Sequence, residues 1–254
     1  MHTNFEELIN QYSSKVYNLA FRVTFNREDA EDIVQETFLQ VYKGIKDFRG
    51  DSNVGTWIYR IALNNSLKVK KTINKEYIES LEKRVEQSQG NIPAEVQDWF
   101  SDPEKTLLLK ELTNEIRYGC QQVMMQELPD TQKVVFILRV IFDFSYREIS
   151  EILQIPEDVI KSRLKRARAT LSRLLQQKCQ WFREGGNNSC CKSKIGFVLA
   201  QDTEILKRVY ERVNETKEGT KESNSKLHGN YVTYIYKNLP KVSFNSQKLK
   251  NIFS

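Results

Sequence analysis

Histidine is nearly absent from this chain: His2 and His228 are the only two in 254 residues. There is no Gly-rich phosphate loop, Cys-x-x-Cys pair or nucleophile motif on a suitable strand and turn, so an enzyme has little to work with. Glycine (10) and proline (5) are scarce as well. With 39% hydrophobic and 28% charged residues, that scarcity favours a helical globular protein over a sheet-rich or low-complexity one. No stretch approaches the ~18 apolar residues of a membrane span. The opening "MHTNFEELINQYSSK" places acids and polar residues where a secretory signal needs an apolar core. These absences predict a cytoplasmic protein without direct membrane insertion. The four cysteines, Cys120, Cys179, Cys190 and Cys191, are too few and too uneven for a secreted disulfide framework, so reduced thiols are expected.

What is present is positive charge and helical spacing. The net charge is +6 and the pI about 9.0, compatible with a polyanionic partner. Apolar residues recur near every 3.6 positions up to Cys179. The spacing predicts an all-α chain of two small helical domains joined by a flexible linker. The first covers residues 1–72, the linker 73–101, the second 102–178, and a C-terminal extension of unknown role 179–254. Within the extension, "REGGNNSCCKSK" reads as loop and "DTEILKRVYERVNE" as helix.

In the second domain, "QIPEDVIKSRLKRARATLSR" places Ile160, Leu164, Ala167, Leu171 and Leu174 on one helical stripe. Ser162, Lys165 and Arg166 then point away from the core, with Lys161 and Arg163 on its flanks. Pro156 suits a first helical turn, and Glu157 and Asp158 complement the helix dipole. Upstream, "FSYREISEILQI" has helical spacing and leaves only Gln154 to Pro156 before the basic helix, which is helix-turn-helix spacing. In such a unit Lys161, Ser162, Arg163, Lys165, Arg166 and Arg168 are placed to meet phosphates and base edges. A basic helix alone also fits a merely hydrated face; the short turn and the preceding helix shift the reading toward DNA. Gln154 stands where glycine would most easily take a left-handed turn, at a cost of about 1 kcal/mol.

In the first domain, Asn26 caps "REDAEDIVQETFLQVYKGI", whose inner stripe is Ala30, Ile33, Val34, Val41 and Ile45. Asp32, Glu36 and Leu39 lie opposite, an exposed leucine flanked by carboxylates. That face is either ordinary solvated surface or a docking face for a basic helix of a partner. Next, "DFRGDSNVGTWIYRIALNNSLKVKK" leads from a polar loop into a helix with Trp57, Tyr59 and Arg60 and a basic end. Aromatic rings stack on unpaired bases and basic ends follow phosphates; Phe48, Trp57 and Ile61 also suit a core.

"DAEDIVQETFLQVYKGI", "FRGDSNVGTWIYRIALN" and "LPDTQKVVFILRVIFDFSYREISEILQIPEDVIKSRLKRAR", in this order across a polar linker, strongly resemble the extracytoplasmic function (ECF) sigma factors. The resemblance spans about Phe5 to Lys71 and Asp102 to Leu175. It implies that the first domain is sigma region 2 and the second region 4, in a non-catalytic specificity subunit of RNA polymerase. Asp32, Gln35, Glu36 and Leu39 would dock on the clamp coiled coil of core RNA polymerase. Phe48, Arg49, Asp51, Ser52, Asn53, Trp57, Arg60, Asn64, Lys68 and Lys71 would recognise and open the minus-ten promoter element. Lys161, Ser162, Arg163, Lys165, Arg166 and Arg168 would read the minus-thirty-five element of promoter DNA. An anti-sigma factor is a further partner the resemblance allows. Two departures stand out: Lys68 replaces a frequent acid, and Gln154 a frequent turn glycine.

"CQWFREGGNNSCCKSKIGF" also resembles a Cys-containing extension of some ECF sigma factors. Cys179, Cys190 and Cys191 are the zinc candidates, but adjacent cysteines rarely give a simple tetrahedral chelate and the nearest extra ligand is the distant His228. Free thiols without a cofactor are the preferred expectation. The competing function is a stand-alone helix-turn-helix regulator, which leaves the Asp32 and Trp57 motifs without a purpose.

Overall fold

A computed structural model of the chain describes residues 5–48, 50, 53–69, 99, 101–184, 189–192, 194, 195, 209, 236, 237, 244–247, 249 and 250. Among these the regular elements are helices: α1 (Phe5–Thr24), α2 (Arg27–Gly44), α3 (Val54–Lys68), α4 (Thr106–Gln126), α5 (Asp130–Phe136), α6 (Tyr146–Leu153), α7 (Glu157–Lys178), α8 (Gln180–Arg183) and α9 (Ser189–Lys192). The expected all-α class follows. Ser189–Lys192 is helical, where the sequence reads as loop.

The chain forms two compact units that do not coincide with the sequence domains. One joins Met1–Thr72, Gln126–Thr170 and Val232–Ser254; the other joins Ile73–Met125 and Leu171–Tyr231.

In the first unit α1, α2 and α3 pack around Leu8, Ile9, Val16, Leu19, Ile33, Val34, Phe38, Ile58 and Leu63, all buried. Each such side chain contributes ~1.5 to 3 kcal/mol on leaving water. Helix α2 starts where the sequence places it, since Asn26 Oδ1 accepts from the Asp29 N–H at 3.1 Å. Of its expected inner stripe, Ile45 is only half-buried in a short 3-10 turn, whereas Thr37 and Phe38 are fully enclosed. Across to α3, Asn65 donates to Thr37 Oγ1 at 3.3 Å and accepts from Gln40 Nε2 at 3.3 Å, which satisfies a buried amide. Gly55 admits the Tyr12 ring: a Cβ there would stand 2.8 Å from its hydroxyl oxygen.

The same unit holds the helix-turn-helix. A π-turn, Ile137–Ile141, ends the helical run that begins at Asp130. Ser145 and Glu148 then close a capping box at the start of α6. Gln154 takes the left-handed conformation, φ 54° and ψ 44°, at its C-terminus, and Ser150 Oγ donates to the Ile155 carbonyl at 2.7 Å. The sequence expectation for this turn therefore holds. Gln154→Gly is expected to stabilise the fold by ~0.5 to 1 kcal/mol, the left-handed strain relieved less the extra chain entropy of glycine. Thermal unfolding reads this as a Tm rise of ~1 to 3 °C; a lower Tm would mean that the glutamine side chain itself supports the turn.

In the second unit, Leu108, Leu109, Leu112 and Ile116 of α4 share a core with Cys191, Ile195 and Val209, and Trp99, Cys120 and Trp181 pack against it. Arg117 lies over the Trp181 ring at 4.5 Å. Trp99 falls in the stretch read as linker, yet it belongs to this core.

Candidate nucleic-acid interface

The stripe Ile160, Leu164, Ala167, Leu171 and Leu174 of α7 is fully buried, so the opposite side of the helix faces outward. Lys161, Ser162, Lys165 and Arg166 are exposed; Arg163 and Arg168 are half-buried. Arg166 Nη2 donates to Ser162 Oγ at 3.0 Å, which orders the guanidinium along the helix surface. Lys161 is held by Glu157 at 3.6 Å and sits 5.3 Å from the Tyr146 ring centre. Arg168 buries its Nε without a hydrogen-bond partner, which turns this residue inward from the group of six. The outward cations form a short basic strip along the first half of α7. Such a strip meets phosphates by charge and base edges by the two-pronged geometry of arginine.

On α2, Asp32, Gln35, Glu36 and Leu39 are all exposed. Leu39 and Tyr42 are among the large apolar side chains left open to solvent, at 36% and 53%. Glu36 Oε1 accepts from Gln40 Nε2 at 2.6 Å. Acids flanking an exposed leucine on a rigid helix present charge and an apolar anchor together.

Of the ten residues expected at the minus-ten element, Arg49, Asp51, Ser52 and Lys71 lie outside the described residues. Phe48 and Trp57 pack on each other, ring centres 5.0 Å apart, and Trp57 covers Gly44, where a Cβ would approach to 3.1 Å. Both rings are half-buried, so each keeps an accessible edge. Asn53 is exposed and caps α3 through its Oδ1, 2.8 Å from the Gly55 N–H. Asn64 and Lys68 are exposed on the same helix.

Arg60, also expected at the minus-ten element, is engaged within the chain. Its guanidinium donates to the main-chain carbonyl of Glu151 in α6, and its Nε is buried without a partner. Next to it, Tyr59 is enclosed between rings: Phe144 at 4.8 Å, Phe142 at 6.2 Å and Tyr12 at 6.2 Å. Burial drives the Tyr59 hydroxyl pKa upward. No local signal in the sequence reveals this contact, because its two sides lie some ninety residues apart.

The cysteines converge. Cys120 of α4, which is not among the zinc candidates of the sequence, packs against the core that holds Cys191, and Cys190 and Cys179 are near enough to raise its pKa. Lys194 Nζ lies 4.0 Å from Cys120 Sγ and also hydrogen-bonds Cys190. Burial pushes the Cys191 thiol up to about 12, with Cys120 the next cause, and it raises Cys120 and Cys179 as well. Burial works against the Lys194 ammonium, yet the surrounding sulfurs raise its pKa in balance. Among the described residues no group of three or more His, Cys, Asp or Glu is arranged to hold a metal ion. Lys194 sets an ammonium among the sulfurs, a charge that opposes a second cation there.

Residues 8–72 match the family model for Sigma-70 region 2, and residues 120–171 match that for Sigma-70, region 4. The ECF RNA polymerase sigma factor SigW of Bacillus subtilis is 32% identical over 174 residues, covering 68% of this chain and 89% of its own. The ECF RNA polymerase sigma-E factor of Escherichia coli is 31% identical over 182 residues, covering 68% and 86%. A solved structure, CnrH in complex with the cytosolic domain of CnrY, matches with a TM-score of 0.48 and 20% identity over 68% of this chain and 88% of that one. Two family regions in the expected order, with relatives of this similarity along most of their length, place the chain in the extracytoplasmic function family of sigma factors.

Proposed function

We propose that this chain binds bacterial core RNA polymerase and directs promoter-specific initiation of transcription in the cytoplasm, as a specificity subunit without a catalytic site or resident metal of its own. The observation that carries this reading is the pairing of two outward faces on one chain. The acidic and apolar face of α2, Asp32, Gln35, Glu36 and Leu39, suits a basic coiled coil of the polymerase. The basic strip of α7 suits the major groove of the minus-thirty-five element. Phe48, Asn53, Trp57, Asn64 and Lys68 then offer ring edges, an amide and a cation to an opened minus-ten element. Among the described residues no helix is long and apolar enough to cross a membrane.

The deciding experiment is transcription in vitro with core RNA polymerase on promoters of the source genome, with and without the purified chain. Transcripts that start at defined promoters only when it is added are expected. Failure to bind core, together with sequence-specific duplex binding, would make it a stand-alone regulator. Within this reading, alanine at Arg163 or Arg166 is expected to cost ~1 to 3 kcal/mol of promoter affinity and to relax specificity at one base pair. Uniform weakening across sequences marks a phosphate contact instead, and unchanged affinity would remove that arginine from the interface.

A further inference from the structure

The C-terminal extension reaches the DNA-reading modules themselves. Tyr236 is fully buried with its ring edge-on to Phe136 of α5, centres 5.2 Å apart, and Lys237 pairs with Asp143 at 3.3 Å beside the π-turn. A few residues on, Phe244 stacks on Tyr17 of α1 at 5.0 Å, and Lys250 pairs with Glu6 of α1 at 3.7 Å. Leu249 between them is buried. One short stretch of chain thus grips the region-4 module at its first two contacts and the region-2 module at its last two. Within the same unit those modules also touch directly, through Tyr59 against Phe144 and Arg60 against Glu151.

We propose that this is a closed, promoter-incompetent state and that the tail anchored by Tyr236, Lys237, Phe244 and Lys250 holds it closed, as an inhibitor built into the chain. The inference rests on the proposed function. Elements centred near minus ten and minus thirty-five lie about 25 base pairs apart, ~85 Å along B-form DNA at 3.4 Å per base pair. Modules joined by a hydrogen bond between α3 and α6 cannot occupy both. Arg60, expected at the minus-ten element, is meanwhile spent on the Glu151 carbonyl. Opening requires the tail to leave both modules, and polymerase and promoter, which engage only the open form, draw the equilibrium that way in proportion to their preference for it.

The test compares the full-length chain with Tyr236→Ala and with the double variant Phe244→Ala, Lys250→Glu. Small-angle scattering measures their size, and transcription with subsaturating core polymerase measures their activity. The expected result is a larger radius of gyration and transcription raised several-fold in both variants. Unchanged size and unchanged transcription in variants of native helical content would overturn the proposal. Tyr236 is deeply buried, so if its variant loses helical content the double variant decides, since Phe244 and Lys250 are only half-buried. Variants that expand while no form of the protein supports transcription leave the tail as the clamp and count against the function proposed above; transcription equal in all forms without expansion counts against the clamp alone.

Discussion

Charge reversal of Asp32 and Glu36 to lysine is expected to weaken the complex with core RNA polymerase ~100-fold or more, about 3 kcal/mol for the pair. Both side chains are exposed on a helix whose other side is fully buried, so the fold has little stake in them. The only described bond lost is that between Glu36 and Gln40, worth a few tenths of a kcal/mol on a helix surface. Like charges set against a basic coiled coil repel in addition to losing attraction, which is why reversal exceeds neutralisation. Fluorescence anisotropy of the labelled chain titrated with core measures the loss. Duplex binding by α7 should stay within twofold of wild type; equal core affinity in the variant would remove α2 from the docking surface.

A second large effect is expected in alkaline solution, where the second unit should lose stability between pH 9 and 12. A Cys191 thiol exposed by unfolding ionises near 9.0, while in the fold it stays protonated to about 12. The unfolded chain therefore sheds its proton first, and the stability this thiol contributes is full below pH 9 and lost as pH rises through about 12. The span corresponds to ~4 kcal/mol at 1.36 kcal/mol per pH unit. Lysine titration overlaps the window, so the comparison is Cys191→Ala. Its stability by guanidinium unfolding should fall less steeply with pH than that of the wild type. Parallel curves would show that Cys191 ionises freely in the folded chain.

Local physics made much of this molecule legible from sequence. Asn26 had to cap a helix because its side chain can accept the free amide of Asp29. Gln154 takes the left-handed conformation that the short turn between two helices favours, where glycine is the usual residue. The buried face of α7 followed from spacing alone, and with it the outward direction of Lys165 and Arg166. Contacts that join distant segments leave no such local trace. Nothing near Cys120 marks it as the neighbour of Cys190, and nothing near Arg60 points to the carbonyl of Glu151. Trp99 looked like an isolated ring in a polar linker because its partners in α4 and around Cys191 come later in the chain. Lys194 likewise gains its meaning from sulfurs contributed by three stretches of sequence. The exchange of segments between the two compact units has the same origin, since helical period reports an inner face but not which face it meets.

That exchange bears on the birth of the protein. Both modules leave the ribosome before the residues that fasten them, because the first unit needs Val232–Ser254 to be complete. The roughly 80 residues after Thr170 take ~4 to 16 s to translate at 5 to 20 residues per second. During that interval the nascent chain carries a finished α2 face and completes its helix-turn-helix without the tail contacts. Under the proposed clamp, each new molecule begins in an open state, and a polymerase that meets it during synthesis binds without competition from the tail.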